Sequence, residues 1–476
     1  METFEQSAHC VTDMVGRRYR LLNKLSSGGQ GIVYRTQYPE YLVKIDIDQN
    51  KNIVAPSDER CREIEDIRTL PVDSALHVTM PLATLKDASG YVMRLMGDMV
   101  PFADAFDAGP ETEAPFADEE NPWLAGMGDY RELFTVFLRR GGLRRFLRAY
   151  LQAAVILARL HGAGLVYCDF SWNNVFVSND PAFCHVWFID IDNLAFPADC
   201  VDRPAPYTPG LGAPELFRGS SSTFAADVYA FAATMFKQLF QHRALEGQQY
   251  EALMNEEDVE EAEKVLEAGT FDWVFAEDGA NAWKGGETLA PLLLSQELWT
   301  LFEATFVTGK EKPGKRPSMM EWSYGIAQAL DHVAVCPHCH MDYYDEGSNE
   351  CPWCSKTHSV LRVTSFTAAG KEVWRVAHEI VQDGTPARIP ARIVEGFHAD
   401  HAEQAAFDVR WTKQGLLIQT EGAMTLDGLA FSAGGRPAVR TRAFETQEHT
   451  CKATFRGALG GACAIVFSLE EDHDEA

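Results

Sequence analysis

At 476 residues, with 46% hydrophobic and 11% aromatic side chains, the chain is long enough for roughly two to four domains and apolar enough to build cores, which excludes a disordered polymer. Its 42 basic and 69 acidic residues give a formal charge of −27, which argues against a nucleic-acid or anionic-membrane surface, since phosphate recognition needs clustered Lys and Arg. No stretch of about 18 uncharged apolar residues occurs, the start "METFEQSAHC" reads as no signal peptide, and eleven cysteines in such a chain point to a reducing, cytoplasmic setting where spaced thiols bind metal.

The first predicted unit is a hairpin. In "KLSSGGQGIVYRTQYPEYLVKI", Gly28, Gly29 and Gly31 form a turn between two runs rich in β-branched and aromatic residues. A strand-turn-strand unit excludes a dinucleotide-binding loop, which leads into a helix. Lys44 lies further on in the apolar strand "YLVKI", where a buried ammonium needs an anionic partner. A helix over "DERCREIEDIRTL" follows, with Ile64, Ile67 and Leu70 facing inward. Glu63 approaches the same side as the candidate partner of Lys44, with Glu59 second. The strand "GYVMRLMGD" (90–98) comes next, then residues 104–132, rich in Asp, Glu, Pro and Gly and read as a surface loop.

"LVYCDFSWNNVFV" then places Asp169, Asn173 and Asn174 between two apolar runs. Alone, it reads as a polar turn between strands. The competing reading is a catalytic loop, in which an aspartate accepts a hydroxyl proton and an asparagine five positions on holds a metal ion. The strand "VWFIDIDNL" follows with Asp190 and Asp192. After it come "GLGAPEL" (Ala213, Pro214, Glu215), the buried helix "AADVYAFA" opened by Asp227, an acidic amphipathic helix over 244–268, and "KRPSMMEW" with Arg316.

"CPHCHMDYYDEGSNECPWC" gives Cys336, Cys339, Cys351 and Cys354 the spacing C-x2-C-x11-C-x2-C. Each pair forms a knuckle that aims two thiolates at one tetrahedral metal, and four thiolates close the shell of a structural zinc. His338 and His340 are then bystanders. From 360 to 468, "VWRV", "FDVRW", "GLLIQT", "GLAFS", "CKATF" and "CAIVFSL" alternate with Gly-rich turns, which predicts a small β-sandwich or barrel. Residues 469–476 read as an acidic tail.

Taken in order, the Gly-rich turn, strand lysine, helix glutamate, Asp-x4-Asn loop, strand aspartate, Ala-Pro-Glu and late arginine resemble the protein kinase superfamily over residues 15–333. The resemblance implies an α+β, bilobal protein-kinase-like fold, with an N-lobe over about 15–97 and a C-lobe over about 98–333. A zinc ribbon (334–357) and a β-rich C-terminal domain (360–468) follow. Lys44, held by Glu63, is implied to anchor the α and β phosphates of ATP, beneath a cover of Gly28, Gly29 and Gly31. Val33, Met93 and Leu95 are implied to edge the nucleotide pocket. Asn174 and Asp190 are the implied Mg²⁺ or Mn²⁺ ligands, with Asp192 either an extra ligand or the principal one. Asp169 is the implied base for the acceptor hydroxyl.

The departures from the pattern carry information. Cys168 replaces the arginine that reads a phosphorylated activation loop, Ser171 replaces a lysine, and Ser26 stands for the first loop glycine. Thr208 matches Ser/Thr kinases, so the implied activity is transfer to Ser or Thr of a protein substrate. The whole arrangement resembles a bacterial group of eukaryotic-like kinases associated with a von Willebrand factor A protein and a PP2C-type phosphatase in stress or tellurite resistance. Neither nucleic acid nor membrane is an expected partner, and the oligomeric state stays open. The alternative is a nucleotide-binding pseudokinase scaffold that docks partners through the ribbon and β-rich domain. A small-molecule phosphotransferase shares the Asp-x4-Asn logic, but "APE" and "RPS" speak against it.

Overall fold

A computed structural model describes residues 10–470 apart from 28–30, 108–130, 132–133, 136–140, 202, 256–257, 278, 285, 368, 399–403, 414, 421–423, 427–428, 432–438, 441–449 and 457–461. Helix and sheet are mixed throughout. The chain divides into two compact units, Met1–Ala105 with Arg159–Phe231, and Phe106–Ala158 with Ala232–Ala476. No helix among the described residues is long and apolar enough to cross a membrane.

The first unit is built on a six-stranded antiparallel sheet. Its strands are β1 (Cys10–Thr12), β2 (Arg18–Ser27), β3 (Gly31–Thr36), β4 (Tyr41–Asp46), β5 (Ala83–Thr84) and β6 (Gly90–Arg94), in the order β1-β2-β3-β4-β6-β5. Successive side chains of a strand alternate between faces. Val43 and Ile45 of β4 therefore join Val11, Tyr19, Leu85 and Val92 in one core cluster, while Lys44 points to the opposite face. Leu42 to Ile45 are all buried, as befits a central strand. β6 runs beside β4 with Tyr91 opposite Lys44. This approach requires glycine at position 90, where φ is +141° and a Cβ would lie 2.1 Å from the Lys44 carbonyl oxygen.

Helix α1 (Asp58–Arg68) begins where Ser57 accepts the Arg60 backbone N–H, with Asp58 and Glu59 complementing its positive N-terminal end. It buries Ile64 and Ile67. Farther along, β7 (Met99–Pro101), β8 (Val175–Ser178) and β9 (Val186–Phe188) form a separate three-stranded antiparallel sheet.

The second unit holds most of the helices. These include α2 (Gly142–Gly162) and α3 (Phe224–Phe240), which begin or end within it, α4 (Gln248–Asn255), α5 (Val259–Glu267), α6 (Gln296–Glu303) and α7 (Met319–Asp331). Their core is aromatic: Phe236 meets Phe302 at 5.4 Å between ring centroids, and Phe302 meets Trp322 at 5.1 Å. The acidic stretch 244–268, expected as one helix, forms two. Asp258 starts the second by accepting the Glu261 backbone N–H at 3.1 Å, an N-cap that interrupts the run. Arg243 then clamps α5 through two hydrogen bonds to Glu263, at 2.8 and 2.9 Å.

A two-stranded ribbon, β10 (Val333–Val335) and β11 (Asp342–Tyr344), flanks the first cysteine pair of the island. Beyond it, β12 (Val360–Phe366) and β13 (Glu372–Glu379) join β17 (Met424–Leu426), β18 (Leu429–Phe431), β20 (Thr450–Arg456) and β21 (Ala462–Glu470) in the order β13-β12-β21-β20-β17-β18. A second sheet orders β14 (Ala387–Pro390), β15 (Ala405–Thr412), β16 (Gly415–Thr420) and β19 (Val439–Arg440). Phe407 and Phe467, 5.8 Å apart between centroids, bring apolar faces of the two sheets together. Buried Asp331 at the end of α7 ties helices to strands by accepting from Trp374 Nε1 at 2.7 Å and Arg392 Nε at 2.5 Å.

The loop expected over 104–132 lies mostly outside the described residues, as do residues 471–476 of the acidic tail.

Candidate active site

Lys44 comes first because its burial demands an explanation. Its side chain is only 9% exposed, and a buried ammonium without counter-charges is strongly unfavourable. Two carboxylates meet it: Asp190 Oδ1 at 2.5 Å and Asp192 Oδ2. Both come from the turn after β9, where Asp190 sits in the left-handed region (φ 54°) and Ile191–Asn193 forms one turn of 3₁₀ helix. Burial pulls the Lys44 pKa down, but Tyr91, Asp192 and Asp190 around it more than reverse this, so the amine is held well above its ordinary value. Burial likewise pushes Asp192 up, and Lys44 then Arg60 overcome it, leaving that carboxyl below its ordinary value. Breaking such a buried pair by removing one partner costs about 3–5 kcal/mol.

The expected Lys44–Glu63 pair is not the arrangement found. Glu63 binds Arg60 Nη1 at 3.1 Å, and its side chain is 45% exposed. It borders a cavity of about 1050 Å³ that Arg60, Asp46 and Asp192 also line. Glu59 is exposed and takes no part. Instead Arg60 Nη2 reaches Asp192 Oδ1 at 3.1 Å, and its Nε reaches Asp46 Oδ2 at 2.9 Å. Sequence reasoning missed Arg60. Its position on α1, three residues before Glu63, puts it on the same side of the helix, where it meets both Glu63 and Asp192.

The loop around Asp169 is fixed from three sides. Asp227 of α3, buried, accepts the backbone N–H groups of Tyr167 and Cys168, each at 2.8 Å, and contacts His161 Nε2 at 3.0 Å. Those bonds hold Cys168 in the left-handed region (φ 75°), a strained conformation that turns the chain toward Asp169. Tyr167, Phe170 and Phe188 pack as an aromatic shelf beneath, with centroid separations of 4.9 and 5.6 Å to Phe188. Burial pushes the Tyr167 hydroxyl far up, and it donates to the carbonyls of Ile189 and Asn174.

Asp169 itself receives two hydrogen bonds, from Asn174 Nδ2 to Oδ2 at 3.1 Å and from Thr208 Oγ1 to Oδ1 at 3.0 Å. Asn174 Nδ2 also donates to the Asp169 carbonyl at 3.0 Å. Burial raises the Asp169 carboxyl above its ordinary value, with Thr208 opposing and Asp190 adding to the shift. A carboxylate poised in this way can accept a proton from a hydroxyl, and the side-chain oxygens of Asn174 and Asp190 are of the kind a hard divalent cation takes.

Of the remaining expected site residues, Gly28 and Gly29 lie outside the described residues. Gly31 opens β3 beside β4, where a Cβ would come within 3.2 Å of Lys44 Cε. Val33 is the register partner of Lys44, and Met93 that of Leu42. The Leu95 N–H donates to the Glu40 carbonyl at 2.8 Å.

In the second unit the four island cysteines converge, with all four sulfurs within 4.8 Å of one another. Cys336 and Cys354 are 3.7 Å apart, as are Cys339 and Cys351. A tetrahedral metal with bonds of about 2.3 Å separates thiolates by about 3.8 Å, so the cluster fits zinc. The two knuckles repeat one geometry. Backbone N–H groups of His338 and Trp353 donate to Cys336 and Cys351 Sγ at 3.4 Å, and His340 and Ser355 each take positive φ, 59° and 55°.

No protein-family model matches this chain. It is similar to the DNA damage-responsive serine/threonine-protein kinase RqkA of Deinococcus radiodurans, at 25% identity over 328 residues, 64% of this chain. The chain spans 44% of that relative's length. The likeness is in keeping with the resemblance to the protein kinase superfamily read from the sequence.

Proposed function

We propose that this protein, a distant relative of serine/threonine kinases, transfers the γ-phosphoryl group of ATP to Ser or Thr of a protein substrate. The observation that carries the reading is the meeting of Lys44 with Asp190 across 146 residues, at the mouth of a loop that presents Asp169 beside Asn174. Phosphoryl transfer demands positioning and neutralisation of spread negative charge more than covalent chemistry. Lys44 supplies a fixed cation for the phosphates. Asp169, with a raised pKa and a Thr208 hydrogen bond, orients the acceptor hydroxyl and takes its proton. Asn174 and Asp190 hold Mg²⁺, which supplies charge neutralisation when bound. Gly28, Gly29 and Gly31 cover the phosphates, and Val33, Met93 and Leu95 edge the base.

Domain roles complete the reading. Residues 15–333 form the kinase-like domain in two lobes, 334–357 a structural zinc ribbon, and 360–468 a β-rich partner-docking domain. The protein acts in the cytoplasm, in bacterial signalling or stress response, with a PP2C-type phosphatase and a von Willebrand factor A protein as partners. Incubation of the full chain with γ-labelled ATP, Mg²⁺ and acceptor proteins tests the activity. Label on Ser or Thr that disappears in Lys44→Met supports it, and label equal in both chains contradicts it.

A further inference from the structure

We infer that Asp192, steadied by Arg60 of α1, is the residue that positions Lys44, leaving Asp190 as the metal-facing carboxylate. The inference rests on the phosphoryl-transfer reading above and divides labour within that site.

The commitments of the two carboxylates differ. Asp192 spends both oxygens on cations, Oδ2 on Lys44 and Oδ1 on Arg60 Nη2 at 3.1 Å. A third cation on the same group would meet two positive charges at once. Asp190 touches Lys44 through Oδ1 alone among the described residues, and its side chain is 32% exposed against 7% for Asp192. Its second oxygen therefore has room for an ion.

Arg60 is itself fixed. Its Nε binds Asp46 Oδ2 at 2.9 Å, and Ser89 Oγ donates to that same oxygen at 2.6 Å. A continuous frame thus runs Ser89–Asp46–Arg60–Asp192–Lys44. It starts beside the sheet, passes through α1 and returns to β4. The planar arginine fork suits this task because it can satisfy several carboxylates in one plane, which an ammonium cannot do. Glu63 branches from the middle of the frame, bonded to Arg60 and half open to solvent. Asp192 in this chain does for the lysine what a helix glutamate was expected to do, and Arg60 carries the coupling to α1. Arg60 and Asp192 are positioning residues.

The test uses the full chain with a Mg²⁺ titration, reading γ-phosphate transfer beside denaturant melts of single and double variants. Asp192→Asn and Arg60→Met are expected to lower kcat at least about tenfold while shifting the Mg²⁺ requirement less than about twofold. Arg60→Lys should recover part of that loss. Asp190→Asn is expected to raise the Mg²⁺ requirement at least about tenfold, and Glu63→Gln to lower kcat less than about threefold. In the melts, Lys44→Met and Asp192→Asn should be non-additive, whereas Lys44→Met and Glu63→Gln should add.

Additivity between Lys44 and Asp192 overturns the inference, as does a Glu63→Gln variant that loses about tenfold or more in kcat. The half-exposed Glu63 variant keeps the test decisive even where Asp192→Asn does not fold. A wild-type chain that transfers nothing defeats the phosphoryl-transfer reading instead. The melt cycles need no activity and still decide the positioning claim.

Discussion

Asp169 lies where burial and hydrogen bonding compete over one proton. Burial raises its pKa above the ordinary carboxylate value, and the Thr208 hydroxyl works against the rise by bonding the ionised form. A general base acts only when deprotonated, so activity falls as pH falls through this raised pKa. Thr208→Val removes a bond to the charged form and should move the acid limb of the pH–rate profile further upward. A limb that stays put would show that Thr208 does not bear on the base, and one that moves down would contradict the stated direction. At this scale the sequence singled out Lys44, Asp169, Asn174, Asp190 and Asp192 by spacing and residue type, and the structure brings Lys44 to Asp190 and Asp192, and Asn174 to Asp169. Arg60 was hidden for a physical reason. Its partner Asp192 lies 132 residues away, and no local pattern shows which of several acids a strand lysine will meet.

Secondary-structure elements are joined here by single demanding contacts, and α2 depends on one of them. It starts at Gly142, where φ is +76° and a Cβ would come within 2.2 Å of Asp342 Oδ2. That same oxygen accepts the Arg144 backbone N–H at 2.6 Å, so a residue of β11 serves as a remote cap for the helix. Gly142→Ala combines left-handed strain with loss of this cap and should destabilise the chain by about 2 kcal/mol or more, read as a lower denaturation midpoint. An unchanged midpoint would mean that the cap contributes little. Ser57 and Ser318 are the N-caps of α1 and α7, as their residue type favours. The break in 244–268 was missed because its acidic run keeps helical periodicity on both sides of Asp258.

Across the whole molecule, apolar cores account for most of the fold, and the cysteine island adds a group of four thiols able to hold a metal ion. Four cysteines spaced for a tetrahedral ion would, as thiolates, gather charge that a bound cation neutralises, and binding energy there would then become folding energy. The chain is expected to carry one zinc, measured by metal analysis and lost in Cys351→Ser. Its removal should speed hydrogen exchange over 334–357 and at the start of α2, through Asp342, while leaving β2 to β4 unchanged. Unchanged exchange at the start of α2 would sever the proposed link between ribbon and helix. The existence of strands beyond residue 360 was legible from Gly-rich turns and alternation. Their order was not, since alternation assigns a face and not a neighbour. β12 pairs with β21, bringing Val360 opposite Glu470, a closure no local signal announces.

The central claim is phosphoryl transfer with Asp169 as the base, and one comparison addresses it most directly. Wild type and Asp169→Asn are each matched for ATP binding, then followed for phosphate on Ser and Thr by mass spectrometry. The account predicts equal nucleotide affinity and transfer at least about a hundredfold slower in the variant, the scale of general-base catalysis. Transfer by the variant at the wild-type rate would contradict Asp169 as the base. Tight ATP binding with no phosphate in either chain would contradict the enzyme and favour a nucleotide-binding scaffold.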